Sequence, residues 1–177
     1  MKVWEYKSNK VDKLAEKVEK DPTIVMTNVV MAKDLIDLID FKDNDKVMEP
    51  CKGDGAYYNN LPDKVSKFYC EINEGLDYLL STEKVDITLT NPPFVPRKLF
   101  WSFMQVAMEN TDRLIYWLIN FSSLNVFTPK RLKEMEEKGW FIESFHTVAD
   151  KRWYGRYCWL KISKINKHVI TYNTKSY

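Results

Sequence analysis

Val85-Asp86-Ile87-Thr88-Leu89-Thr90-Asn91-Pro92-Pro93-Phe94 is the stretch on which the fold turns. Its first six positions are rich in β-branched residues, whose stiff χ1 torsions suit a pleated strand. The run then stops abruptly. Two consecutive prolines fix the backbone and remove two ladder donors, and Pro92 also holds Asn91 in an extended conformation. A short apolar run bounded by such breakers predicts a buried strand that ends on a rigid loop.

Outward from this strand, short apolar runs alternate with helical patterns. Upstream, Lys67 to Glu71 predicts a strand, and so does Lys46 to Glu49, which leads into a Gly-containing turn. Before them, Thr27 or Asn28 can cap a helix with Val29, Val30, Leu35, Ile36 and Ile39 at helical spacing. Lys10 to Lys20 predicts a charged helix ended by Asp21-Pro22. Downstream, a helix over Leu99 to Glu109 precedes a strand over Arg113 to Ile119. A further helix follows over Pro129 to Lys138, with Thr128 as cap, proline in its first turn and Gly139 closing it. Trp140 to Val148 and Tyr157 to Ile165 then form two strands with a short connection, hence an antiparallel hairpin. This order predicts an α/β fold, a doubly wound sheet with helices on both faces, made mixed by the final hairpin. Such a sheet binds its ligand at the carboxyl ends of its strands.

The chain has 177 residues, 45% of them hydrophobic, enough for a real core in one domain over 1–177. Residues 1–26 are expected to be an N-terminal helical extension, and no separate target-recognition domain is expected. No stretch approaches the roughly 20 uninterrupted apolar residues of a membrane span. Met1-Lys2-Val3-Trp4-Glu5 has no apolar run after its charge, so no secretory signal is expected. Cys51, Cys70 and Cys158 are odd in number and widely spaced, which suggests reduced thiols in a cytoplasmic protein. The Lys- and Asn-rich character points to an AT-rich prokaryotic or phage genome. Net charge is +2, but it is unevenly spread. Lys151, Arg152, Arg156, Lys161, Lys164, Lys167 and Lys175 lie in a segment without any acid, while the rest of the chain is acidic overall. That segment is either a phosphate-facing patch or a solvated surface strand and tail.

Three features carry chemistry. Val47-Met48-Glu49-Pro50-Cys51-Lys52-Gly53-Asp54-Gly55 runs from a strand into a turn with two glycines, where no Cβ keeps a ligand from the backbone; the turn alone is equally an ordinary tight turn. Glu71, at the tip of the next strand, can accept both hydroxyls of a ribose. Asn91-Pro92-Pro93-Phe94 offers a rigid amide oxygen beside the Pro92 carbonyl, and two acceptors aimed at one point suit an –NH2 group. Phe94 adds a flat face on which a base can stack. His146 and His168 are isolated, and no metal site is expected.

Taken in order, these residues resemble the amino-group DNA methyltransferases, specifically the N6-adenine type in which the cofactor motif precedes the catalytic one. The resemblance spans about Thr27 to Ile165. It implies a Rossmann-like class I methyltransferase of about seven strands with a reversed C-terminal strand, and S-adenosylmethionine as cofactor. Glu49, Pro50, Cys51, Gly53 and Gly55 look like the cofactor loop, and Glu71 with Ile72 like the ribose-binding acid and its neighbour. Asp77 and Tyr78 resemble the acidic motif that meets the cofactor adenine, and Thr27 begins the helix flanking the methionine end. Asn91, Pro92, Pro93 and Phe94 match the catalytic motif, with Asn91 also beside the cofactor. Lys52 departs from the family, which more often has a small residue there.

The implied reaction is methylation of adenine N6 in DNA, with a duplex base flipped out to reach the pocket. Phe94, Arg97, Lys151, Arg152, Trp153, Tyr154 and Arg156 are the expected nucleic-acid contacts, Tyr154 before Trp153 as second aromatic wall. Sequence readout would come from loops, a specificity subunit or a second copy. An RNA N6-adenine enzyme, a protein glutamine N5 methyltransferase and a catalytically silent cofactor-binding partner remain alternatives. A nicotinamide enzyme is disfavoured because Tyr58 stands where the third glycine of Gly-x-Gly-x-x-Gly belongs.

Overall fold

The computed structural model describes residues 26–151 and 156–170. Six strands form one sheet: β1 (Lys46–Glu49), β2 (Ser66–Tyr69), β3 (Val85–Thr90), β4 (Thr111–Asn120), β5 (Phe141–Val148) and β6 (Tyr157–Ser163). Their order is β2-β1-β3-β4-β6-β5. The first four are parallel, and β6 runs antiparallel to both β4 and β5. The expected hairpin and mixed sheet are therefore present. Among the described residues three helices accompany the strands: α1 (Val29–Ile36), α2 (Arg97–Asn110) and α3 (Pro129–Glu137). None of the described helices is long and apolar enough to cross a membrane.

The sheet has six strands among the described residues where about seven were expected. The chain between β2 and β3 adds none. Residues 70–84 hold only two single 3₁₀ turns, Ile72–Glu74 and Tyr78–Leu80, and then enter β3. A parallel crossover alone takes about a dozen residues, so no length remains for an outer strand, and β2 forms the sheet edge. The predicted charged helix over Lys10 to Lys20 lies outside the described residues.

Successive strand residues point to opposite faces, and the core divides accordingly. On one face Met48, Ile115, Trp117, Cys158 and Leu160 pack beneath α2 and α3, which contribute Phe100, Met104 and Met135. On the other, Val47, Ile87, Leu114, Leu118 and Trp159 pack beneath Ala32, Leu35 and Ile36 of α1. Asn28, not Thr27, caps α1, its side chain accepting from the Val30 and Met31 amides. Val29 and Val30 are 58% and 68% exposed, so they do not join the apolar stripe. Val30 stands two positions before Ala32, on the opposite side of the helix, and Val29 lies in the open first turn. Thr128 caps α3 by accepting from the Arg131 amide, with Pro129 in the first turn.

Candidate active site

The carboxyl ends of β1, β2 and β3 meet on one edge of the sheet. β1 ends on Glu49, only 1% exposed although it is an acid. Its Oε2 has no hydrogen-bond partner. Burial pushes the carboxyl up to about 9, against a Tyr58 backbone hydrogen bond that favours the charged form. At neutral pH Glu49 is therefore a protonated acid.

From Glu49 the chain enters the glycine turn. The Cys70 amide donates to the Glu49 carbonyl at 2.9 Å, and the Lys52 amide to the Cys70 carbonyl at 3.0 Å, tying the turn to the end of β2. Gly53 and Gly55 have φ of 53° and 83°, the left-handed region where a side chain is strained. A Cβ at Gly55 would also stand 2.7 Å from the Asn59 side-chain nitrogen. Lys52, the departure from the family pattern, leans away from the turn. Its ammonium lies 2.7 Å from Glu74 Oε1 and 3.8 Å from the centre of the Tyr69 ring.

Glu71 follows β2 and is 9% exposed. Its Oε2 accepts from the Gly53 amide at 2.7 Å and its Oε1 from the Asn73 amide at 3.1 Å. The acid at the tip of the second strand thus also braces the glycine turn. Ile72 follows it, half-buried. Asp77 accepts from the Leu79 amide at 2.9 Å and opens the second 3₁₀ turn. Tyr78 faces the core, its ring 5.2 Å from that of Phe103. Pro50 is buried, and Cys51 is packed against the core with its thiol pushed up by burial.

β3 delivers Asn91. Its Nδ2 donates to Thr27 Oγ1 at 3.2 Å, while its Oδ1 is buried and has no partner. Thr27 is itself 8% exposed. The amide is therefore held by its nitrogen with its oxygen unpartnered, and Pro92, the next residue, is buried. Pro93 and Phe94 are half-buried. The Phe94 ring lies 6.3 Å from that of Tyr157, tilted by 54°. Tyr157, the first residue of β6, is the aromatic found next to Phe94. Arg152, Trp153 and Tyr154 lie outside the described residues. Lys151, Arg156 and Arg97 are exposed.

Sequence reasoning missed Tyr57. It is 1% exposed, its hydroxyl is buried on the Thr27 side chain, and its ring stacks on Trp159 at 5.4 Å. Nothing in its surroundings in the chain separates it from an ordinary core aromatic. Tyr157 lies within the aromatic segment already singled out, but the choice among neighbours in that segment depends on the register of β6 against β4. That register pairs Tyr157 with Asn120.

The arrangement combines a cradle lacking Cβ atoms, two acids at neighbouring strand tips and an oriented amide acceptor beside a tilted aromatic pair. No family model matches the chain, and no curated protein matches it. Solved structures do. TrmN from Thermus thermophilus superposes with a TM-score of 0.59 at 17% identity, over 86% of this chain and 53% of its own, so this chain spans about half of TrmN. A Listeria monocytogenes protein assigned to the class I S-adenosylmethionine-dependent methyltransferases gives a TM-score of 0.63 at 13% identity, covering 94% of this chain and 70% of that one. Mtq2 of E. cuniculi, solved with Trm112 and responsible for methylating the eRF1 termination factor, gives 0.57 at 15% identity over 78% and 96%. The chain has the Rossmann-like fold of the class I S-adenosylmethionine-dependent methyltransferases.

Proposed function

We propose that this chain transfers a methyl group from S-adenosylmethionine to the exocyclic N6 of adenine in a nucleic acid, DNA in the first instance. The observation that carries the reading is the Asn91 amide, tied down through Nδ2 with its buried Oδ1 unpartnered. The residues present also fit the cofactor. Gly53 and Gly55 leave the turn without Cβ atoms at two positions, Glu71 beyond β2 braces that turn and would meet the ribose hydroxyls, and Glu49 keeps a buried oxygen without a partner. A cationic amino group beside Glu49 would favour the carboxylate, whose proton would pass to water and leave an ion pair. When bound, S-adenosylmethionine supplies an electrophilic methyl on a sulfonium.

The chain's own residues then have to make a poor nucleophile competent. The N6 lone pair of adenine is delocalised into the ring. Asn91 Oδ1 and the Pro92 carbonyl accept the two amino protons, which favours a pyramidal nitrogen and localises the pair. With the cofactor bound, the nitrogen would take the methyl in line as the sulfur–methyl bond breaks to leave the neutral thioether, its surplus proton would pass to water, and no covalent bond to the protein would form. Orientation and fixed dipoles supply the acceleration. Phe94 and Tyr157 hold the base by its faces, and in a duplex that base must leave the stack first.

The test is transfer of labelled methyl to duplex DNA, single-stranded DNA, RNA and a glutamine-containing peptide, with products digested to nucleosides or residues. N6-methyl(deoxy)adenosine should form, and Asn91→Ala should lower kcat/KM by about a hundredfold or more while cofactor binding persists. The peptide arm is included because a glutamine amide offers the same planar –NH2, and Mtq2 shares the fold. Label on peptide alone would transfer the same chemistry to a protein substrate. Cofactor binding with no label on any substrate would defeat the nucleic-acid assignment.

A further inference from the structure

We propose that Phe121 and Phe145 form a stacking platform for the nucleobase next to the target, so that the chain takes its adenine from an unpaired strand. This rests on the nucleic-acid reading above and narrows it to a substrate class.

Phe121 is the first residue beyond β4, the strand beside β3, and so lies at the same end of the sheet as Asn91. Its amide donates to the Arg156 carbonyl at 2.9 Å, which ties it to the entry of β6 beside Tyr157. Phe145 comes up on β5, parallel in direction to β4. The two rings meet edge to face, centroids 6.5 Å apart and planes at 77°. They are 36% and 41% exposed, whereas Trp117, Trp140 and Trp159 are at most 2% exposed. Two touching phenylalanines left open at the lip of a ligand site, where the described tryptophans are all buried, are not part of the core.

The charge around them favours a polyanion. Lys151 and Arg156 are exposed in the β5–β6 connection, residues 149–156, which also holds Asp150. From Lys151 onward the chain has no acid. Glu143 of β5 is 4% exposed and is covered by Lys161 at 3.1 Å and Lys167 at 2.6 Å. A bare ring face flanked by cations suits a base on a phosphate backbone, held without regard to its identity. In a duplex the neighbour of a flipped base stays paired and stacked, so its face is not available. A platform beyond the Phe94–Tyr157 pair therefore works only where the adjacent base is free as well.

The experiment measures anisotropy of labelled oligodeoxyadenylate, an abasic strand of equal length and a duplex, all on the full chain. The wild type should bind the adenylate strand about tenfold or more tighter than the abasic one, the scale of a single base stack, and tighter than the duplex. The Phe121→Leu/Phe145→Leu double variant keeps apolar side chains but loses the ring faces. It should lower the adenylate-to-abasic ratio by about fivefold or more, the rest of the preference belonging to the Phe94–Tyr157 pair, with cofactor affinity changed by less than about twofold, and Phe121→Tyr should keep the preference. An undiminished ratio in the double variant, or a wild type that prefers duplex, overturns the platform alone. A wild type that binds cofactor but none of the three probes overturns the nucleic-acid reading, and the platform with it.

Discussion

Thr27 and Asn91 are 64 positions apart in the chain and joined by one hydrogen bond. In the proposed reaction that bond makes Thr27 a positioning residue, because it decides which end of the amide faces the substrate. Thr27→Val keeps the shape and removes the acceptor. We expect kcat to fall by about tenfold, the cost of loosening one hydrogen-bonded group, with cofactor Kd unchanged and Thr27→Ser restoring the rate. A variant that instead lost cofactor affinity at full kcat would make Thr27 a cofactor ligand only. Glu49 gives a second test, in stability. In the unfolded chain its proton leaves near 4.5, in the folded chain near 9. Between those values the folded form holds one more proton, so stability declines as pH rises, by about 1.4 kcal/mol per unit. Glu49→Gln should flatten the Tm profile of the ligand-free protein across that window and raise Tm at pH 8. A wild-type profile already flat there would mean that Glu49 is ionised.

The glycine turn and the strand ends act as elements. Gly55 combines a φ of 83° with a neighbour 2.7 Å from any added Cβ. Gly55→Ala should cost about 1–2 kcal/mol in denaturant unfolding and weaken cofactor binding more than it slows transfer at saturation. This turn, with Asn91-Pro92-Pro93-Phe94, was legible in the chain because glycine and proline constrain the backbone locally. The strands were legible for a similar reason, as apolar runs bounded by breakers. What was not legible depends on distance. Asn28 caps α1 in preference to Thr27 because Thr27 is engaged by β3, and no local pattern encodes that. Tyr157 stands beside Phe94 through the register of β6 on β4, and the missing outer strand depends on how residues 70–84 are spent.

At the scale of the molecule, charge is segregated toward the last two strands. Lys151 and Arg156 are exposed beside the proposed substrate lip, on a body that is otherwise acidic overall. Association with a single strand should weaken linearly in log salt, and replacing both residues by alanine should reduce the slope by about 1.4, roughly 0.7 for each phosphate contact. A slope unmoved by the double substitution would place the phosphate contacts elsewhere. The two lips of the site also differ in how firmly they are held. β3 and β4 each have a strand on both sides, while β2 has four residues and one neighbour. Deuterium should therefore enter the β2 amides, and the Glu71 side with them, long before it reaches β3. In the proposed reaction, the Glu71 lip of the site would then be the one that opens to exchange cofactor, and the Asn91 lip the one that stays shut.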